Sequence, residues 1–245
     1  MSAIEEAERL ARRMAALRDP AMRITYLRYL AAELEVERLT DVIAIVLARC
    51  AGREPPFTEL MLGLSVALAD PMMEERRGQL AACAADRGLD EVARLFRARP
   101  EEPAEGREEA PAGARAQSGE RPLTLGERKS LARSHDRGLI TRLLRDPHPE
   151  VIRVALGNPH LTEEDVIRLA ARRPISAQIL RTIFLSPRWV IRARVRYALI
   201  RNPRCPLELA LQLAPLLDAR EAAEVAASPE LGELLREACV RRTIH

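Results

Sequence analysis

Three histidines and an aspartate, His135, Asp146, His148 and His160, are the residues of this chain whose types suit metal binding, and they fall in one stretch of 26 residues. They lack the close, regular ligand spacing of a metal centre, and two adjoin expected turns, so solvated loop side chains are the expectation. "GERKS" at residues 126–130 echoes the end of a phosphate-binding loop, but the glycine pattern and the strand that should precede it are missing. Cys50, Cys83, Cys205 and Cys239 are far apart and form no C-x-x-C pair. That spacing indicates neither a zinc site nor a disulfide framework, and free, buried or half-buried thiols are expected. A cysteine nucleophile also needs a positioned histidine, and residues 1–98 contain none. No catalytic residue, cofactor site or metal site follows from these types and spacings, and the expectation is a protein that is not an enzyme.

The densest chemistry is cationic. "SPRWVIRARVRYALIRNPRCP", residues 186–206, holds six arginines and no acid: Arg188, Arg192, Arg194, Arg196, Arg201 and Arg204. Read as one helix over 188–201, it places Arg188, Arg192 and Arg196 on one edge and Arg194 with Arg201 on the other. Ile191, Val195 and Ala198 then share one face, and Trp189, Ala193, Tyr197 and Ile200 another. Such a ridge suits an acidic protein segment or, through bidentate guanidinium contacts, phosphates. Its arginines would equally serve to pair with acids of adjacent helices or to cap helix ends.

The elements that must carry these residues are helical. Ala and Leu dominate the apolar residues, only 3% of the chain is aromatic, and β-branched runs are missing, so an all-α fold is expected. No stretch approaches the roughly 18 consecutive apolar residues of a membrane span. The start "MSAIEEAERLARRM" has acids where a signal peptide needs an apolar run, and a cytoplasmic location is expected. Of the 39 basic side chains only Lys129 is lysine, a bias that reads as a GC-rich bacterial coding sequence.

Residues 99–122, rich in Pro, Glu, Ala and Gly, read as a disordered linker between a helical domain of antiparallel hairpins at 1–98 and a second helical domain at 123–245. Charge divides there: residues 1–98 carry 14 Arg against 16 acids, and residues 121–245 carry 22 basic against 14 acidic side chains. Asp19-Pro20 and Asp70-Pro71 suit an N-cap followed by proline in the first turn, and Thr124 with Glu127 suits a capping box.

The second domain repeats itself. "VIRVALGNPHLTEEDVIRLAA" from Val151 aligns without gaps on "VRYALIRNPRCPLELALQLAP" from Val195, an offset of 44 residues. Asn158-Pro159 matches Asn202-Pro203. Asparagine tolerates the backbone needed after a helix, and the proline excludes helix at its predecessor, so each pair predicts a corner. Thr162 with Glu163, Glu164 and Asp165 restarts one helix, and Cys205 with Pro206 at the first helical position restarts the other. Val166, Ile167, Leu169 and Ala170 fall on one face of the first, with Asp165, Arg168 and Arg172 opposite. One hairpin cannot bury such a face alone, so stacked hairpins, a short α-solenoid, are expected.

The run of Val-x-Arg-x-Ala-Leu type ending in Asn-Pro, then a Thr or Pro start and Leu-x-x-Leu-Ala, resembles the bacterial leucine-rich-repeat variant and, more loosely, HEAT and armadillo-type repeats, over about residues 140–217. The variant's repeats are about 24 residues of alternating α and 3₁₀ helix. Here the offset is 44 residues with the additional helix "SAQILRTIFLS" in between, which favours HEAT-like geometry. The resemblance implies a protein-interaction scaffold without naming a partner. The functional expectation is therefore a non-enzymatic scaffold or adaptor that binds another, acidic, protein through its basic repeat surface. Nucleic-acid binding through the arginine ridge is the alternative.

Overall fold

In the computed structural model, residues 2–97 and 123–243 are described; the expected linker lies outside them. Every regular element among the described residues is helical, as the composition predicts. The N-terminal helices are α1 (Ala3–Ala16), α2 (Pro20–Glu33), α3 (Val36–Ala51), α4 (Pro55–Leu68), α5 (Glu74–Asp86) and α6 (Asp90–Arg97). Next come α7 (Leu125–Leu131), α8 (Arg137–Leu143), α9 (Pro149–Leu156), α10 (Glu163–Ala171), α11 (Ala177–Phe184), α12 (Pro187–Val190) and α13 (Ala193–Ile200). The chain ends with α14 (Leu207–Leu213), α15 (Ala219–Ala226) and α16 (Glu233–Thr243), and one-turn 3₁₀ segments lie at Pro71–Met73 and Ala214–Leu216.

Local chemistry sets most of these starts. Asp19 and Asp70 each accept the amide proton of the second residue on, with proline at the first helical position. Ser2 with Glu5, Thr124 with Glu127, Thr162 with Asp165 and Asp218 with Glu221 form reciprocal capping boxes.

Two compact units result, one from Met1–Pro100 together with Leu207–His245, the other from Glu101–Pro206. The stretch 123–245, expected as one domain, is thus divided after Pro206. The reason lies in α14: Leu209, Leu211 and Leu213 are buried, and the helix packs on α4, α6 and α16.

In the first unit α4 is the central helix. Its run from Leu60 to Ala69 has no charged side chain and is buried throughout, as an all-round apolar helix must be. It is enclosed by α1, α2, α3 and α14. Gly63 permits the approach of α2, because a Cβ there would stand 2.5 Å from Leu27 Cδ1. Glu6 is buried yet satisfied by Arg9 at 2.8 Å and by Arg38 of α3 at 2.9 Å, which ties α1 to α3.

In the second unit α9 packs against α7, α8 and α11, and α10 packs against α13. Val151, Ile152, Ala155, Leu156, Ile179, Leu180, Ile183 and Phe184 form its centre. Asp165, expected on the solvent face of α10, is buried instead: it closes the capping box with Thr162 and pairs with Arg137 at 3.0 Å. Burial alone would raise its pKa. The Thr162 hydroxyl and amide, with Arg137, outweigh that and hold the carboxyl below its ordinary value.

Candidate partner-binding surface

The two Asn-Pro corners make the same set of hydrogen bonds. Asn158 Nδ2 donates to the carbonyls of Ala132 and Ser134, each at 2.9 Å, while its Oδ1 accepts from His160 N at 2.9 Å. Asn202 Nδ2 donates to Ala170 O at 2.7 Å and Arg172 O at 3.1 Å, and its Oδ1 accepts from Arg204 N at 3.0 Å. Each amide turns its own chain and also satisfies carbonyls at the end of an earlier helix, α7 for the first corner and α10 for the second. Both side chains are buried, where such carbonyls would otherwise lack a donor. Pro159 and Pro203 are exposed beside them, Thr162 caps α10, and α14 begins at Leu207, just after Pro206.

Asp146-Pro147 is a third corner. Asp146 Oδ1 accepts from His148 N at 2.9 Å, but its other partner is the Arg128 guanidinium at 2.6 Å. A carboxylate has no proton to offer a carbonyl, so this corner faces a cation where the others face helix ends.

The arginine ridge is built differently from the expected single helix. Arg192 is extended (φ −80°, ψ 117°) where α13 begins, so α12 and α13 are separate and Arg188, Arg192 and Arg196 share no helix edge. Trp189, Val190, Val195, Leu199 and Ile200 are buried, whereas Ile191 is 40% exposed and Tyr197 and Ala198 are half-buried. Ile191, Val195 and Ala198 are spaced as on one helix, so the apolar pattern did not mark the break.

Arg188 donates to Asn158 O at 2.9 Å, reaches Pro159 O and Leu161 O, and stacks on Trp189 at 4.5 Å. Trp189 Nε1 in turn donates to Leu156 O at 2.8 Å, so ring and guanidinium together close the end of α9. Arg196 bridges the helix break through Val190 O and Ile191 O. Arg201 lies over the Tyr197 ring and donates to its hydroxyl. These three side chains have structural partners.

Arg192, Arg194 and Arg204 are exposed. Arg194 meets Glu164 at 3.2 Å, Arg192 approaches Glu163 at 3.9 Å, and the Arg204 guanidinium has no partner among the described residues. Surface pairs of this kind contribute about 0–1 kcal/mol and exchange readily for another carboxylate.

The four residues weighed for a metal site do not converge. His135 Nδ1 and His160 Nε2 are hydrogen-bonded at 2.8 Å, a pairing that 25 residues of separation concealed. His148 Nδ1 accepts from Glu150 N and caps α9. Asp146 belongs to Arg128. Among the described residues no three His, Cys, Asp or Glu side chains form a metal-holding group.

Charge is concentrated by the fold. The described part of the second unit, residues 123–206, carries 17 Arg and Lys against seven Asp and Glu, net +10, while residues 207–243 carry four against seven. The excess expected for the whole C-terminal half thus lies in one compact unit.

No known protein family matches the chain, and neither a curated protein nor a solved structure matches it.

Proposed function

We propose that the second unit is a short α-solenoid of HEAT-like hairpins and that it binds an acidic surface of another protein, acting as a scaffold or adaptor without a chemical step. The observation that carries this reading is the net charge of +10 on residues 123–206, of which Arg192, Arg194 and Arg204 stand exposed on weak or no internal pairs. Ile191, 40% exposed, immediately precedes Arg192, and an apolar side chain beside guanidinium groups is the composition of a protein interface core. Complementary charge would supply encounter rate and selectivity, and displacement of Glu163 and Glu164 by a partner's carboxylates would cost little.

The test compares affinity capture by the full chain and by its Arg192→Glu/Arg194→Glu variant, with Trp189 fluorescence showing that the second unit stays folded. A partner retained by the wild type and lost by the variant supports the proposal. An unchanged partner set removes the surface from consideration.

The same excess charge favours a second reading, nucleic-acid binding. Against it, Trp189 and Phe184 are buried and cannot stack on bases, and Arg188 and Arg196 are engaged with carbonyls. Steeply salt-dependent binding to random duplex or single-stranded oligonucleotides would support that reading, and no binding at low salt would dispose of it.

A further inference from the structure

The first unit contains a cleft of about 480 Å³ between α3, α6, α14, α16 and the 3₁₀ turn Ala214–Leu216. Its floor is apolar, with Leu47, Leu95, Leu211 and Pro215 facing the space. Its charged lining is Arg94, Arg241 and Arg242 against the single acid Glu91.

Half-buried arginines elsewhere in the unit are used singly: Arg76 donates to Ala31 O and Gln79 Oε1, Arg236 donates to Leu231 O, and others find acids. Arg23, Arg38 and Arg87 pair with Glu59, Glu6 and Asp41 at 2.6–2.9 Å. Arg94, Arg241 and Arg242 are half-buried, and none has a carboxylate partner among the described residues. Arg242 donates to Cys50 O at 2.9 Å, a bond to a neutral carbonyl that brings no counter-charge. Burial, opposed in part by Cys50 and aided by the cation of Arg53, holds its pKa below the ordinary arginine value. A half-dehydrated cation is unfavourable without an anion, and three around one apolar floor, with no carboxylate on them among the described residues, are a standing attraction for an anion.

Size selects the kind of anion. The cleft falls within the few hundred cubic ångströms typical of small-molecule sites, whereas a stable protein contact covers about 800 Å² per partner. Three guanidiniums against Glu91 leave a rim of net +2, which rejects cations and suits a head group of one or two negative charges.

We propose that this cleft is a binding site for a small amphiphilic oxyanion, an aliphatic chain lying on Leu47, Leu95 and Leu211 with its carboxylate or phosphate monoester head on the guanidiniums of Arg94, Arg241 and Arg242. The site is independent of the surface on the second unit and survives or fails without it. Tail and head are both required: the floor offers no hydrogen-bonding group to a short anion's surroundings, and the guanidiniums gain nothing from an uncharged chain.

The test is calorimetric titration of the full chain with octanoate and with octyl phosphate, below their micelle concentrations, with 1-octanol and acetate as controls. Saturable one-to-one binding of either oxyanion, at least tenfold tighter than 1-octanol or acetate, is expected, and the tighter of the two identifies the head group. Arg94→Gln and Arg241→Gln should each weaken it roughly tenfold or more, the loss of a charge-assisted hydrogen bond. Ala48→Trp, which fills the cleft from an exposed lining position and keeps every charge, should abolish it. Circular-dichroism melting of each variant reports its fold, so that a variant that unfolds is replaced in the comparison by the remaining two. Failure of both oxyanions to bind at 1 mM would overturn the proposal, as would equal affinity for 1-octanol or unchanged binding by the folded variants.

Discussion

Replacing Asn158 separates a corner that merely turns the chain from one that joins two helices. In Asn158→Ala three hydrogen bonds disappear, two to the carbonyls of Ala132 and Ser134 and one from His160 N, all at 2.9 Å around a buried side chain. At about 1 kcal/mol each, and more where a buried carbonyl is stranded, the loss is about 3 kcal/mol. Trp189 is the chain's one tryptophan, buried in the same unit, so urea unfolding followed by its fluorescence reads this unit. With a slope of about 1–2 kcal/mol/M, the midpoint should fall by roughly 2 M. Asn158→Asp is the sharper perturbation. It keeps the acceptor for His160 N and the turn preference, but directs a carboxylate oxygen at two carbonyls, so at neutral pH it should destabilise at least as much as alanine. The folded state raises the pKa of the new carboxyl above its unfolded value of about 3.9. Its deficit relative to Asn158→Ala is therefore full above the folded pKa and shrinks as pH falls toward the unfolded one. Asn202→Ala should match Asn158→Ala to within about 1 kcal/mol, because its bonds are the same in kind. If Asn158→Asp unfolds at the wild-type midpoint, the corner needs only a turn former and the helix-end carbonyls do not depend on the amide.

Gly63→Ala should destabilise the first unit by roughly 1–3 kcal/mol, because its Cβ would stand 2.5 Å from a methyl of the buried Leu27; thermal melting checks this, and an unchanged midpoint would mean that α2 shifts freely. Burial pushes the Cys50 thiol up to about 12 and that of Cys239 to about 11, so alkylation at pH 8 should modify the half-buried Cys83 and Cys205 first; early labelling of Cys50 in peptide mapping would contradict its placement. Glu150, hydrogen-bonded by Arg153 at 2.6 Å and by Lys129 at 3.2 Å, is held down to about 2. Its contribution to stability is present above the unfolded value near 4.3 and disappears as pH falls through 2. A carboxyl titration by NMR with a midpoint near 4 would show that these pairs do not form in solution.

Helical content, several helix starts and the corners were readable because their causes are local. A capping box spans three residues, and an Asp-Pro or Asn-Pro pair fixes the backbone where it stands. The arginines were not readable in the same way. Arg188 reaches Asn158 O, 30 residues upstream, and Arg172 reaches Leu144 O, 28 upstream, so only packing decides which guanidinium finds a carbonyl and which is left in water. The cleft was missed for a related reason: Arg94 and Arg241 stand far apart in the sequence, with nothing in either neighbourhood to mark them as lining one space.

By itself, then, the sequence determined an all-helical chain with repeated Asn-Pro corners and a basic C-terminal half. Tertiary structure decided where the second unit ends, because α14, buried at every position from Leu209 to Leu213, packs on α4 and α6, a choice its Leu-rich pattern could not express. It also decided the role of each asparagine, since an amide buried beside another helix's last carbonyls becomes a joint between helices, while the same residue in water would only turn the chain.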